Sequence, residues 1–229
     1  MDKRLRFKEE IDEPAIAIDV NSIKTNDSIL YKVTKRAIDI VGSLTGLILL
    51  SPLFLVVAIL IKLEDPKGRV FFGQERNGKY PKTFKMYKFR SMVHNAEELL
   101  ESLMDQNEQS GPAFKIKDDP RITKVGKFIR KTSIDELPQL FNVLKGDMSL
   151  VGPRPPIPSE VAQYNPYQMQ RLAVKPGLTC IWQVSGRNNI GFDEWVDMDI
   201  EYIHTRNLVL DIKLIFKTVF VLFGDENAS

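Results

Sequence analysis

The stretch IVGSLTGLILLSPLFLVVAILI, residues 40–61, decides the fold, because no charged side chain occurs between Asp39 and Lys62. A helix of roughly 22 residues is long enough to cross a hydrocarbon core of about 30 Å. Leucine, isoleucine and valine dominate the stretch, and this composition favours a membrane element. The alternative is a fully buried core helix of a soluble domain.

The dipeptide Ser51-Pro52 lies in the middle of this stretch and predicts a break in the helix. Pro52 removes one backbone hydrogen bond and clashes with the carbonyl one turn earlier, while Ser51 is able to bond to a freed carbonyl. Basic residues flank the stretch on both sides, whereas a spanning helix normally carries its lysine and arginine excess on one side. From the residues alone, a helix-break-helix hairpin over residues 31–64 and an ordinary kinked span are equally supported.

A second apolar segment, residues 208–223, is interrupted by Asp211, Lys213 and Lys217. This pattern predicts either an amphipathic helix in the membrane interface or a helix packed on the domain core, and the sequence leaves both open. The first 30 residues mix polar and apolar side chains and lack the pattern of a secretory signal. We expect them to form a weakly ordered extension, and we expect residues 65–229 to form the soluble domain.

The overall composition argues against several classes of function. The formal net charge is only +2, so the charge balance gives no argument for a nucleic-acid partner, and we expect none. Cys180 is the single cysteine, which rules out an intrachain disulfide and fits a reducing compartment. His94 and His204 lie far apart, without the spacing of a zinc site. Basic residues cluster beside the apolar stretch, which favours contact with anionic headgroups or phosphates.

The remaining residues show the short, mixed elements of an α+β domain that is mostly helical. Strand-like patterns occur at residues 69–72, 83–89 and 181–184. Residues 146–158 are rich in glycine and proline and predict a loop. Helical periodicity is present in further segments: residues 92–106, 122–129, 136–144, 160–172 with a break near residue 165, and 192–205.

Asp135 and Glu136 are adjacent carboxylates that precede Pro138 and an apolar helical pattern. Because proline is tolerated in the first turn of a helix, this spacing predicts a helix that starts near Asp135. One interpretation is that Asp135 only caps that helix. The other is catalytic: a carboxylate kept ionised at a helix start attacks phosphorus in a diphosphate, and Mg²⁺ and arginines screen the two anions.

Four motifs in order make the chain resemble a known family. They are KFRSM (residues 88–92), RKTSIDELPQL (130–140), VGPRP (151–155), and KPGLT followed by WQVSGRN (175–179 and 182–188). The chain is similar to the bacterial sugar transferases, the monotopic polyprenyl-phosphate phosphoglycosyl transferases, over about residues 31–224. The resemblance implies a re-entrant hairpin broken at Ser51 and Pro52. It also implies interfacial amphipathic helices and a small catalytic domain on the cytoplasmic face of the bacterial inner membrane.

The resemblance also implies a reaction. Asp135 corresponds to the family's nucleophile, which attacks the β-phosphate of a UDP-sugar, releases UMP and leaves a phosphosugar on the aspartate. Undecaprenyl phosphate then attacks this intermediate and gives a polyprenyl diphosphate sugar. Glu136 corresponds to the family's glutamate, for which we favour orientation and Mg²⁺ binding with Asp135. A base is less needed, since a phosphate monoester is already mostly ionised at neutral pH.

Arginine and lysine residues of the matching motifs become candidates for binding the two phosphorylated substrates. Arg130 corresponds to an arginine that holds polyprenyl phosphate, and Arg154 lies in a Pro-Arg-Pro loop that corresponds to a phosphate-binding site. For each arginine, a surface salt bridge is the alternative. The full set of substrate-binding candidates is Lys88, Arg90, Arg130, Arg154, Arg187 and Asn188.

Several alternatives stay open on the sequence alone. The resemblance implies the first membrane step of exopolysaccharide, capsule or O-antigen synthesis, with UDP-galactose or UDP-glucose as the favoured donor and an N-acetylated sugar as the alternative. A membrane-bound nucleotide-sugar hydrolase and a non-catalytic adaptor of a polysaccharide assembly complex are the rival interpretations. The sequence leaves the oligomeric state open, with a homodimer as one option.

Overall fold

The uncharged stretch lies in two helices that meet at Leu50. The computed structural model describes residues 23–103, 116, 119–185 and 191–224. Helix α1 covers Ile29–Leu49 and helix α2 covers Ser51–Glu64, and the two are bent by 58°. The predicted break is therefore confirmed. Pro52 lies in the first turn of α2, where its missing N–H is harmless, and Ser51 Oγ donates to the Ile48 carbonyl at 2.8 Å.

The bent pair has the length and composition of a broken membrane span or a re-entrant loop. Within the described residues, no single helix is both long enough and apolar enough to cross a bilayer. Helix α1 begins at Ile29, where Ser28 Oγ accepts a hydrogen bond from the Tyr31 N–H at 3.2 Å. The hairpin thus starts two residues before the predicted boundary, and most of the predicted extension, residues 1–22, lies outside the described residues.

Helix α1 is joined to later parts of the chain by polar contacts that the sequence patterns did not reveal. Asp39 accepts hydrogen bonds from Ser149 Oγ at 2.9 Å and from the Leu150 N–H at 2.8 Å. Arg36 donates to the carbonyls of residues 143 and 144. Lys35 donates to Asp211 and to the Val151 carbonyl, each at 3.0 Å. The expectation that the basic residues before the apolar stretch contact headgroups is therefore wrong for residues 35 and 36.

An antiparallel hairpin follows the helix pair. Strand β1 covers Phe71–Asn77 and β2 covers Thr83–Phe89, with Phe71 opposite Phe89. Phe89 is 2% exposed and its ring lies 5.1 Å from that of Phe54 on α2. This packing attaches the hairpin to the helix pair, and it sets the position of Lys88 next to Phe89.

The rest of the described chain is a series of short helices around a small parallel sheet, as expected for a mostly helical α+β domain. Strands β3 and β4 are parallel, with Ser149 opposite Gly177 and Val151 opposite Thr179. The core beside this sheet contains Leu172, Tyr202 and Leu214. The elements are α3 (Ala96–Leu103), α4 (Lys124–Lys131), α5 (Gln139–Lys145), β3 (Ser149–Val151), α6 (Pro158–Val161), α7 (Pro166–Met169), β4 (Gly177–Thr179), α8 (Phe192–Thr205) and α9 (Leu208–Gly224), with 3₁₀ turns at Ile134–Glu136, Gln170–Ala173 and Trp182–Val184.

The predicted strand at residues 181–184 is wrong. The strand lies at Gly177–Thr179, and Trp182–Val184 forms a 3₁₀ turn. The backbones of the two short strands approach so closely that a Cβ on Gly177 would lie 2.0 Å from the Gly152 nitrogen. Only glycine allows the two backbones to approach so closely. The strand therefore forms at Gly177 and not at the apolar residues 181–184 that follow it.

Helix α9 packs on the domain core, which is one of the two alternatives that the sequence left open, and it also has an exposed apolar face. One face is buried in the core, with Asp211 and Leu214 at 2% and 5% exposure. The opposite face leaves apolar side chains open, including Val209 and Phe216 at 78% and 62% exposure. The helix therefore packs on the domain and also presents an apolar surface, which soluble domains seldom expose in quantity.

Candidate active site

A cleft of about 340 Å³ brings together most of the residues that the motifs marked. This volume falls at the small end of the range of ligand pockets. Five of the predicted site residues line it, and an unpredicted tryptophan joins them: Lys88, Arg130, Asp135, Glu136, Arg154 and Trp182. The cleft is thus polar and charged on the side that carries the carboxylates.

The carboxylate pair lies in a 3₁₀ turn and not at the start of an α-helix. Ser133 adopts a left-handed conformation with φ 56°, and the turn Ile134–Glu136 follows it. The Leu137 N–H donates to the Ile134 carbonyl at 3.2 Å, and helix α5 begins only after Pro138. Because proline supplies no N–H, regular α-helical bonding starts beyond it. The predicted helix start near Asp135 is therefore wrong.

Lys88 contacts both carboxylates from strand β2. Its Nζ lies 2.6 Å from Glu136 Oε1 and 3.8 Å from Asp135 Oδ2. The Lys88 and Asp135 side chains are 21% and 11% exposed, respectively, so the contacts are only weakly screened by water. One cation thus balances part of the negative charge of the pair.

Asp135 is buried at 8% exposure, but it faces the cleft and not an apolar core. Burial raises the pKa of its carboxyl to about 6, against the opposing effect of Lys88 and, more weakly, Arg130. Asp135 is not kept ionised by a helix start, because it lies in the 3₁₀ turn Ile134–Glu136. The neighbouring cations instead favour the ionised form, which predominates at neutral pH.

Arg154 lies in a loop whose carbonyl groups are held by donors from other parts of the chain. The Gly177 N–H donates to the Pro153 carbonyl at 2.9 Å, and Arg171 Nη2 donates to the Arg154 carbonyl at 3.4 Å. The Arg154 guanidinium carbon lies 5.7 Å from the centre of the Trp195 ring. A fixed loop loses little entropy on binding an anion, and guanidinium offers paired donors to a phosphate.

Behind Arg154 lies a buried ion pair that sequence reasoning missed. Arg171 and Asp199 are 1% and 0% exposed in their side chains and lie 2.8 Å apart. The Arg171 guanidinium also faces the Trp195 ring at 4.9 Å, and the Trp182 ring lies 4.7 Å from that of Trp195. The i, i+4 spacing of Trp195 and Asp199 on helix α8 was the available signal, because such residues share one face.

Arg90 does not reach the cleft. It pairs with Asp65 at the end of α2, and its Nη2 donates to the Asp65 carbonyl at 2.8 Å. The structure thus places this predicted substrate-binding residue in a contact between helix α2 and the end of the β1–β2 hairpin. Arg187 and Asn188, the remaining candidates, lie outside the described residues.

Comparison with known proteins identifies the class of protein. The chain belongs to the bacterial sugar transferase family, which it matches over residues 30–225. The resemblance inferred from the four motifs is therefore confirmed.

Three relatives show the range of proteins that this chain is similar to. It is 49% identical over 202 residues to the galactosyl transferase CpsE of Streptococcus agalactiae serotype III (strain NEM316), covering 87% of this chain and 44% of the relative. It is 47% identical over 199 residues to the undecaprenyl-phosphate galactose phosphotransferase of Salmonella typhimurium, covering 85% and 41%. It is 41% identical over 191 residues to the exopolysaccharide production protein ExoY of Sinorhizobium fredii, covering 82% and 84%. The chain thus spans less than half the length of the first two relatives.

Proposed function

We propose that the protein transfers a hexose 1-phosphate from a UDP-sugar to undecaprenyl phosphate and releases UMP. The observation that carries the proposal is the cleft, in which Asp135 lies beside Glu136 and Lys88 and shares the space with Arg130 and Arg154. An aspartate in reach of several cations is suited to attack an anionic diphosphate, because the cations offset the repulsion between the two anions.

In the first half-reaction, an Asp135 carboxylate oxygen attacks the β-phosphorus of the donor. The bond to the bridging oxygen breaks, UMP leaves with the electron pair, and a phosphosugar-aspartyl intermediate remains. In the second, a phosphate oxygen of undecaprenyl phosphate attacks the same phosphorus and frees the carboxylate. Arg130 and Lys88 orient the lipid phosphate, and Arg154 holds the donor diphosphate. A phosphate monoester needs no base at neutral pH, since it is already mostly ionised.

Mg²⁺ fits the donor set of the cleft. Two adjacent carboxylates beside substrate phosphates are the ligands that Mg²⁺ commonly takes, and Glu136 already binds a cation, Lys88, at 2.6 Å. Asp135 and Glu136 would hold the ion, which would supply charge neutralisation at the phosphates. Within the described residues, no group of three or more acidic, histidine or cysteine side chains is suited to a metal, so substrate oxygens would complete the ligand set.

The helix pair would enter and leave the inner membrane from its cytoplasmic face. Support comes from the 58° bend at Leu50 and from apolar side chains left open on both helices. Leu30, Leu49 and Leu63 are 76%, 72% and 74% exposed. The open face of α9 would lie in the same interface. This arrangement would bring a lipid-borne phosphate to the cleft without taking Asp135 into the hydrocarbon.

Galactose and glucose are the sugars that we propose for the donor. The relative from Salmonella typhimurium is named for galactose, one from Erwinia amylovora is a UDP-galactose-lipid carrier transferase, and one from Klebsiella pneumoniae is named for UDP-glucose. A relative from Aeromonas hydrophila is named for N-acetylgalactosamine. The product would serve as the first lipid-linked sugar of an exopolysaccharide, a capsule or an O-antigen.

The test is UMP release from a panel of UDP-sugars by the purified protein, with and without undecaprenyl phosphate. We expect release with one hexose donor, a lipid-linked sugar diphosphate as product, and, without lipid, a hexose phosphate adduct on Asp135 by intact-protein mass spectrometry. Asp135→Asn should abolish both, whereas the exposed Asp193→Asn on α8 should not. Full UMP release by Asp135→Asn, or equal turnover to free sugar phosphate without lipid, would refute the transfer mechanism.

A further inference from the structure

Arg76 is a buried arginine in a small cavity that adjoins the cleft, and no sequence motif marked it. It lies on β1 and is 7% exposed. Its Nη1 donates to the Pro155 carbonyl at 3.0 Å and its Nη2 to Gln74 Oε1 at 2.7 Å. Its Nε is buried without a hydrogen-bond partner. Arg76 therefore braces the loop that carries Arg154 and still has donor capacity left over.

Arg76 differs from the other buried arginines in its charge environment. Arg171 pairs with Asp199 and Arg121 pairs with Asp119, but in the described part of the chain Arg76 forms no ion pair. A buried cation without a counterion is unfavourable. Burial first, and then the charge of Arg154, lowers the pKa of Arg76 to about 10, and the charges of Glu160 and Glu136 oppose this shift. The environment favours the arrival of an anion.

A second, smaller cavity adjoins the cleft. Arg76 and Gln139 line this inner cavity, which shares Lys88, Glu136 and Arg154 with the cleft. Asp135 lines only the cleft. The inner cavity measures about 10 Å³, which is room for one water molecule or one phosphate oxygen. Arg76 therefore lines a part of the site that the nucleophile does not line.

We propose that Arg76 and Arg154 form a subsite for the phosphate of the departing nucleotide, with one phosphate oxygen in the inner cavity beside Arg76. The inference rests on the proposed function. When Asp135 bonds to the β-phosphorus, the bond from that phosphorus to the bridging oxygen breaks and the oxygen keeps the electron pair. The α-phosphate thereby changes from one negative charge to two, and no proton moves. Cations beside the leaving phosphate stabilise this growing charge.

The experiment measures the binding of UMP, uridine and inorganic phosphate to the full chain by calorimetry. Wild type is compared with Arg76→Gln, Arg76→Lys and Arg206→Gln. Arg206 is the matched control, because its Nε is also buried without a partner but it pairs with Asp27 at 3.2 Å and does not line either cavity. We expect Arg76→Gln to weaken UMP binding by about tenfold to a hundredfold and to leave uridine binding unchanged.

Arg76→Lys, which keeps the charge, should bind UMP more tightly than Arg76→Gln, and Arg206→Gln should bind it as wild type does. Unchanged UMP affinity in Arg76→Gln would overturn the inference. So would an equal loss of UMP and uridine binding, because that result would show a distorted cleft. If Arg76→Gln does not fold, the Lys variant decides: the inference requires it to bind UMP less tightly than wild type while uridine binding stays the same.

The arms of the experiment separate failure of the inference from failure of the proposed function. If wild type releases no UMP from any UDP-sugar yet binds inorganic phosphate in an Arg76-dependent way, the anion subsite stands and the proposed reaction falls. If wild type turns over a UDP-sugar and Arg76→Gln binds UMP normally, the reaction stands and the subsite falls. Absence of both UMP and phosphate binding in wild type would overturn the subsite.

Discussion

Lys88 Nζ lies 2.6 Å from Glu136 Oε1, and the same nitrogen is 3.8 Å from Asp135 Oδ2. Lys88 is therefore bound more closely to the neighbour of the candidate nucleophile than to the nucleophile itself. The close ion pair fixes the lysine, while the longer contact leaves the Asp135 oxygen open to the cleft. Lys88 thereby favours the charged form of Asp135 without occupying its reactive atom.

The rate of UMP release should fall as the pH drops through about 6. Burial raises the pKa of Asp135 to about 6, and only the deprotonated carboxylate attacks phosphorus. Protonation below this pKa removes the nucleophile, so activity is present above pH 6 and lost below it. Lys88→Met should move this acidic loss of activity to higher pH by about one unit or more, because the cation nearest to the Asp135 carboxylate is gone. The measurement is a pH profile of UMP release with saturating donor.

Lys88→Arg is the control for this shift. It keeps a positive charge near both carboxylates, so its acidic limb should stay close to that of wild type even if its maximal rate falls. A Met variant whose profile overlays that of wild type would show that Lys88 does not influence the ionisation of Asp135. An equal shift in both variants would point to altered packing instead of lost charge.

Trp195 should contribute to donor binding through Arg154, although it is not among the residues that line the cleft. The Arg154 guanidinium lies 5.7 Å from the Trp195 ring centre, and contacts of this kind are worth about 0.5–2 kcal/mol. Trp195→Leu should therefore raise the KM for the UDP-sugar by about twofold to thirtyfold. Trp195→Tyr, which keeps an aromatic face, should show a smaller increase.

A double-mutant cycle with Arg154→Gln separates this role from general packing. If Trp195 acts by orienting Arg154, then Trp195→Leu should add little once the guanidinium is absent. Strictly additive effects on KM would contradict the orienting role. Thermal denaturation of each variant checks that the ring cluster with Trp182 is not simply unfolded.

Local sequence patterns predicted those structural elements that are determined by residues within the same segment. The break at Leu50 follows from the proline two residues later, and the bounds of α8 agree with the periodicity of residues 192–205. Three residues of the motifs, Arg130, Asp135 and Arg154, line one cleft. For the break and for α8, the residues that determine the outcome lie within the segment itself.

Contacts between distant segments could not be predicted in this way. Arg90 pairs with Asp65, 25 residues away, and Arg36 donates to the Val143 carbonyl, 107 residues away. Periodicity tells which face of an element is buried, but it does not tell which partner a charged side chain meets there. The left-handed conformation of Ser133 was hidden for a related reason. Serine rarely adopts it, so only the surrounding structure determines it.

Asp211 should be a major determinant of stability, because it lies on α9 and connects this helix to α1 and α8. It accepts hydrogen bonds from Tyr31 at 2.9 Å, from Tyr202 at 2.7 Å and from Lys35 at 3.0 Å. Asp211→Ala leaves the Lys35 charge partly buried without its partner, which should cost about 3–5 kcal/mol. The measurement is chemical denaturation in detergent micelles.

Lys32→Ala is the matched control for that experiment. Lys32 also pairs with an aspartate, Asp27, at the same 3.0 Å, but their side chains are 53% and 54% exposed. An exposed pair of this kind contributes about 1 kcal/mol or less. Similar losses for the two variants would contradict the assignment of Asp211 as the buried link.

The two ends of the helix pair should be accessible from the same side of the membrane. Lys32 precedes the uncharged stretch and Lys67 follows it, and both are exposed. Cys180, the single native cysteine, is 0% exposed, so a membrane-impermeant thiol reagent should report only on cysteines introduced at positions 32 and 67. In a re-entrant hairpin, Lys32→Cys and Lys67→Cys both react in inside-out vesicles and neither reacts in right-side-out vesicles. In a kinked span, the two positions react from opposite sides, and that result would refute the hairpin. The 58° bend is consistent with the first outcome, in which both basic flanks stay in the same aqueous layer and neither lysine charge enters the hydrocarbon.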